Sequence, residues 1–102
     1  MRTVHHPRVE EIDLTDVLHA LSDPVRLEIV RLLADRQERP CSAVEAKVSK
    51  STLSHHFKVL REAGITHTRA NGTHRLMSLR QDDLDSRFPG LLSSVLNAAK
   101  AA

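Results

Sequence analysis

The sequence contains no tryptophan and no tyrosine, and its only aromatic residues of that class are Phe57 and Phe88. Proteins that hold single-stranded nucleic acid stack bases on exposed aromatic rings, so this composition argues against that mode. There is one cysteine, Cys41. A lone thiol forms no internal disulfide and builds no multi-cysteine metal site within one chain. Only three glycines occur, and neither a Gly-rich phosphate loop, a G-x-S-x-G nucleophile elbow nor an H-E-x-x-H motif is present. These absences point away from an enzyme. No run of about eighteen apolar residues suggests a membrane helix. Met1 to Glu10 is polar and lacks the apolar stretch of a secretory leader. With the single thiol, that gives a cytoplasmic expectation.

What is present fits one small globular domain. The chain has 102 residues, 40% of them hydrophobic and 27% charged. A domain of this size buries a modest core, and self-association would enlarge it. The net charge is +2, but it is unevenly spread. From Lys47 to Arg75 there are six basic residues (Lys47, Lys50, Lys58, Arg61, Arg69, Arg75) against one acid, Glu62. A basic segment on a mildly acidic body is the charge pattern of an element that meets DNA. The bland alternative is a solvated surface stretch.

Periodicity supplies the elements. Residues 1–13 have no period and are expected to be a flexible arm, with residues 14–102 forming the domain. Leu14, Val17, Leu18 and Leu21 recur at helical spacing and predict a first helix over 14–21. Asp23 as cap and Pro24 at the first helical position open a second helix, ending near Arg36. Ser42 to Val48 is expected to form a short third helix. A fourth starts at a serine cap, Ser49 or Ser51, and runs over 51–63, with Leu53, Phe57 and Leu60 as its buried stripe. Gly64 stands where a helix ends in the left-handed conformation.

After Gly64 the period becomes two, and Asn71-Gly72 marks a hairpin whose two turn positions both take positive φ. The strands and turn span 65–79. Gln81 to Ala102 is again helical in character, broken at Phe88-Pro89-Gly90. The expected class is mainly α with a small β-hairpin: a winged helix-turn-helix in the order α-α-α-α-β-β-α.

Helix 51–63 is the element suited to the major groove, and the hairpin is its wing. Ser51, Thr52 and Ser54 are short enough to approach phosphates or base edges closely, while Lys50, His55, His56 and Lys58 reach further. Arg61, Arg69, Asn71, Gly72, Thr73, His74 and Arg75 complete the candidate DNA-binding set, holding backbone and minor groove.

Three stretches resemble the ArsR family of regulators. Residues 20–33, ALSDPVRLEIVRLL, resemble its opening pattern A-L-x-D-P-x-R-L-x-I-L-x-L-L. Residues 49–65, SKSTLSHHFKVLREAGI, resemble its recognition segment S-x-S-T-x-S-H-H-L-x-x-L-R-x-A-G-L, and Gly72-Thr73-His74-Arg75 falls at its wing turn. Together they span Leu14 to Leu79 in order. The resemblance implies a transcription regulator, more often a repressor, that binds a palindromic duplex operator as a homodimer. It implies that the first and last helices pack across the two-fold, through Leu14, Val17, Leu18, Leu21, Leu91, Leu92, Val95 and Leu96. The alternative is that these faces cover the protomer core. For His55 and His56 the resemblance implies DNA contact by at least one.

Many members of this family release DNA on binding a metal, and here the sequence departs from the pattern. The C-x-C pair of the thiolate sensors is absent, and no histidine follows His74 to complete the other ligand set. An atypical site for zinc, nickel or copper would draw on His5, His6, His19 and Cys41. The alternative is a solvated arm, a helix-surface histidine and a packed thiol. Redox sensing through Cys41, a second protein supplying the signal, and a winged helix that contacts only protein are the further readings.

Overall fold

The computed structural model describes residues 5–101. Helix α1 spans Leu14–Leu21 and is capped by Asp13, whose carboxylate accepts the Thr15 N–H at 3.3 Å. Its inner face is Val17, Ala20 and Leu21, while Leu14 and Leu18 are 41% and 45% exposed. Helix α2 spans Pro24–Leu32, shorter at its end than expected. Leu33 closes it, and Arg36 sits in the left-handed region at φ 64°.

The expected helix over 42–48 is not formed. A short strand, β1 (Arg39–Pro40), leads into a single 3-10 turn over Cys41–Ala43. Val44 then takes an extended conformation at φ −79° and ψ 119°, which ends the turn. A helix of seven residues forms only where packing supports it. The segment also has little to bury: Ser42, Ala43, Glu45 and Lys47 are exposed and Val44, Ala46 and Val48 only half-buried.

Helix α3 spans Lys50–Glu62 with Ser49 as its cap, accepting the Thr52 N–H at 3.2 Å. It ends in a Schellman motif. The Gly64 N–H reaches the Arg61 carbonyl at 3.1 Å, and the Ile65 N–H reaches the Leu60 carbonyl at 3.0 Å. Gly64 takes φ 86°, and Leu60 and Ile65 are both fully buried beside it.

Strands β2 (Thr66–Asn71) and β3 (His74–Leu79) form the hairpin, in register Thr66↔Leu79 through Asn71↔His74. The loop is Gly72-Thr73, one residue later than expected. Only Gly72 has positive φ, 63°, the pattern of a II′ turn instead of the I′ turn that Asn-Gly suggests. The expected two-stranded ribbon is a three-stranded sheet, ordered β1-β3-β2, because Arg39 and Pro40 pair with Met77 and Leu76. Helices α4 (Gln81–Arg87) and α5 (Leu91–Ala101) follow, separated by the break at 88–90.

Residues 5–13 are not a free arm. Ile12 is 1% exposed and belongs to the core with Val17, Ile29, Leu33, Leu60, Ile65, Met77 and Leu84. Arg87 donates to the Ile12 carbonyl at 2.7 Å and Arg80 to the Pro7 carbonyl at 2.8 Å. The Arg80 N–H bonds the Ile65 carbonyl, which makes 65/80 a hydrogen-bonded pair. By antiparallel alternation the Thr66, Thr68 and Ala70 N–H groups then face the open edge of β2. His6 caps that edge: its Nε2 accepts the Thr68 N–H at 3.0 Å, and its ring stacks on His67 with centroids 4.3 Å apart.

Burial, then the neighbouring His67, Arg80, Arg61 and His5, push the His6 imidazole below its ordinary value of 6.5. Residues 5–13, a strap docked on the domain, therefore favour neutral His6. Docking is strongest above about pH 6.5 and weakens as pH falls below it, toward the lowered docked value. With an undocked value near 6.5, the docked-to-undocked ratio should fall by up to about tenfold between pH 7.5 and 5.5. Hydrogen exchange at the Thr68 amide, corrected for intrinsic rate, reads this. His6→Gln keeps an acceptor that does not titrate and should remove the dependence.

Candidate nucleic-acid interface

Helix α3 divides cleanly. Leu53, His56, Phe57 and Leu60 turn inward, and Lys50, Ser51, Thr52, Ser54, His55 and Lys58 are exposed. The outer face holds no acid until Glu62. At its start Ser49 satisfies only the Thr52 N–H, so the N–H groups of Lys50 and Ser51 have no partner among the described residues. Unpaired amides at a helix N-terminus, with Lys50 beside them, favour a phosphate oxygen. Lys50, Lys58 and Arg75 have no acidic partner among the described residues, so their charge is available to an anion.

The two adjacent histidines take opposite roles. His55 is exposed, whereas His56 is 7% exposed and does not face solvent. Its expected place in the DNA-binding set is corrected by helical geometry: it lies three residues after Leu53 and four before Leu60, on their face. His56 Nδ1 is 3.1 Å from an Arg26 guanidinium nitrogen. Guanidinium only donates, so Nδ1 accepts and the ring proton sits on Nε2.

Arg26 is itself 7% exposed. Its Nε donates to the Ala20 carbonyl at 2.7 Å and its remaining nitrogen to the His19 carbonyl at 3.3 Å. It thereby satisfies the C-terminal carbonyls of α1 while touching α3. Asp23 caps α2 through the Val25 and Arg26 N–H groups at 2.8 and 3.1 Å. Burial would raise the Asp23 carboxyl, but those two bonds and the nearby His56 and Arg26 hold it below the usual range. One buried cluster thus joins the end of α1, the start of α2 and the middle of α3.

In the wing, Arg69, Ala70, Asn71, Gly72, Thr73, His74 and Arg75 are exposed, with Arg75 and His74 following the turn. Arg69 is not a free cation. Glu38 receives it in a two-pronged ion pair at 2.5 and 2.7 Å, which removes one charge from the expected basic surface. Arg61 is half-buried, with its Nε enclosed and unpartnered among the described residues.

The four metal candidates are not brought together within the chain. His5 and His19 are exposed, and His6 is committed to Thr68 and His67. Cys41 is half-buried, and burial pushes its thiol up, against the weaker pull of Arg75 and Arg61. A raised thiol is a poor nucleophile at neutral pH. Among the described residues no three His, Cys, Asp or Glu side chains gather as a ligand set. Of the residues expected at a dimer face, Val17, Leu21 and Leu92 are consumed by the protomer core. Leu14 and Leu18 are exposed and Leu91, Val95 and Leu96 half-buried. No described helix is long and apolar enough to cross a membrane.

A capped helix with an acid-free outer face, followed by a Gly-turned hairpin on a three-stranded sheet, defines a winged helix-turn-helix domain. The comparisons agree. Residues 21–69 match the helix-turn-helix domain family. An uncharacterized HTH-type transcriptional regulator of Bacillus subtilis, YceK, is 42% identical over 82 residues, covering 78% of this chain and 82% of its own. The arsenical resistance operon repressor of Staphylococcus xylosus is 39% identical over 74 residues, covering 72% and 71%. The crystal structure of the transcriptional repressor BigR from Xylella fastidiosa superimposes with a TM-score of 0.67 at 29% identity, covering 86% of this chain and 83% of that one. The chain belongs to the ArsR family of winged helix-turn-helix, DNA-binding transcriptional regulators.

Proposed function

We propose that the protein is a homodimeric repressor, which reads a palindromic duplex operator with the outer face of α3 and steadies the complex with the wing. The observation that carries this is the exposed face Lys50, Ser51, Ser54, His55 and Lys58, which holds no acid before Glu62. A surface meant for another protein has no reason to exclude acids; a surface meant for phosphate does. Repression is supported by two relatives that are named as repressors.

The dimer is supported by Leu14 and Leu18, two large apolar side chains left in solvent on α1. A two-fold operator also needs a two-fold reader. Such a protein works in the cytoplasm on the nucleoid, without catalysis. The inducing signal is a metal bound across the dimer, a small molecule or a second protein that favours a weaker-binding conformation.

The roles within α3 are separable by experiment. Ser54→Ala and His55→Ala should change which bases are preferred, by about 1–3 kcal/mol at the affected position, and leave affinity for random duplex nearly unchanged. A binding titration against operator variants and random duplex checks this. Unchanged base preference in both variants would contradict the assignment of this face to the major groove.

A further inference from the structure

A buried polar cluster touches the reading helix from behind. Arg26 NH1 and His56 Nδ1 are 3.1 Å apart, and both residues are 7% exposed. The same guanidinium is tied to the last turn of α1 through the Ala20 and His19 carbonyls. Its backbone N–H is tied to the cap of α2 through Asp23. The Asp23 carboxylate also lies 4.0 Å from His56 Nδ1. A planar, five-donor fork cannot rotate without breaking one of these contacts. The position of His56 is thus set relative to α1 and α2 at once.

His56 directly follows His55 and lies between Ser54 and Lys58, and those three neighbours are exposed on the outer, DNA-facing side while His56 points inward. A helix turn of the kind that would let His56 drift also swings those side chains by the same angle. Base readout depends on placement within a few tenths of an ångström to about one ångström, whereas phosphate attraction does not.

We propose that Arg26 and His56 are positioning residues for DNA recognition: their hydrogen bond fixes the angle of α3 to the body of the domain, and so its sequence discrimination. This rests on the DNA reading above. The role belongs to Nδ1 alone, because that atom accepts the guanidinium. Asparagine places a carbonyl oxygen where Nδ1 lies, and glutamine reaches the position of Nε2.

The test compares His56→Asn and His56→Gln with wild type. Affinity is measured for duplexes selected by the wild-type protein from genomic fragments and for a random duplex. Thermal midpoints are recorded, and binding is measured well below them. His56→Asn should keep the ratio of selected to random affinity within about threefold of wild type. His56→Gln should lose at least about tenfold of that ratio while its random-duplex affinity and helix content stay unchanged.

Arg26→Lys keeps the charge but loses the fork, and should behave like His56→Gln. Equal ratios in the asparagine and glutamine variants, or a loss of thermal midpoint with no loss of discrimination, would overturn the proposal and leave the cluster a role in stability alone. A wild-type protein that selects no duplex would overturn the DNA reading and this inference with it.

Discussion

Gly64→Ala should destabilise the protein by about 2–5 kcal/mol. Two separable terms add. The residue is held at φ 86°, where a side chain costs roughly 1–2 kcal/mol. A Cβ there would also lie 2.6 Å from Ile12 Cγ1 and 2.8 Å from Ile12 Cδ1. Ile12 is 1% exposed and cannot swing into solvent, so the overlap adds about 1–3 kcal/mol of overpacking. Against a total of about 5–15 kcal/mol for a domain, this removes much of the stability. For a chain of this length the thermal midpoint should fall on the order of 10–30 °C.

A thermal melt followed by circular dichroism checks the prediction. A second measurement separates the terms. In the Ile12→Ala background the overlap is gone, so Gly64→Ala should then cost only the conformational term. A full cost in both backgrounds would show that the strap does not lie against the helix end as described. The functional consequence is direct: Gly64 closes the reading helix and starts the wing, and the strap locks that corner.

Lys58→Ala should weaken duplex binding about thirtyfold at 0.15 M salt and flatten the salt dependence by about 1.8 logarithmic units per decade. Counterion release gives about 0.9 units per phosphate contact, and the proposed dimer presents two copies of each lysine. Lys50→Ala should act alike, and the pair together should flatten the slope by about 3.6 units. The loss should be the same for selected and random duplexes, because phosphate contacts carry no sequence.

Glu38→Gln should move binding the other way, since it releases Arg69 from its ion pair and adds a free cation to the wing. Titrations at four or five salt concentrations check all of these. A slope unchanged by both lysine substitutions would place the phosphate backbone on another face.

Local signals were legible where they are strong. Asp23 is a cap, Pro24 opens a helix, Ser49 is the cap of the two serines expected, and Gly64 closes a helix, all with the short-range chemistry that sequence spells out; the Asp13 cap lies in what reads as an arm. The family pattern agreed with them. The side on which His56 falls was also written in its spacing from Leu53 and Leu60, although its place beside His55 pointed to DNA.

What sequence did not show depends on contacts between distant residues. Arg69 and Glu38 are 31 residues apart, and no local pattern pairs them, so the basic surface was overcounted. Ile12 lies in a mostly polar stretch that has no helical or strand period to reveal its burial. β1 has two residues and one of them is proline, so it reads as a loop until β3 lies beside it. The segment 42–48 has modest helical spacing, but it is short and has little to bury, which together explain its open form. Which of Leu14, Val17, Leu18 and Leu21 are exposed and which face the core likewise follows from packing, not from period.

The most direct test is selection of genomic DNA fragments by the purified full chain, followed by titration of the enriched duplexes across a range of salt. Enrichment of fragments that share a two-fold motif, bound two chains per site and with a steep salt dependence, is the expected result. Binding of no fragment at low salt, or uniform binding with no enriched motif, would contradict the claim that α3 and the wing read an operator.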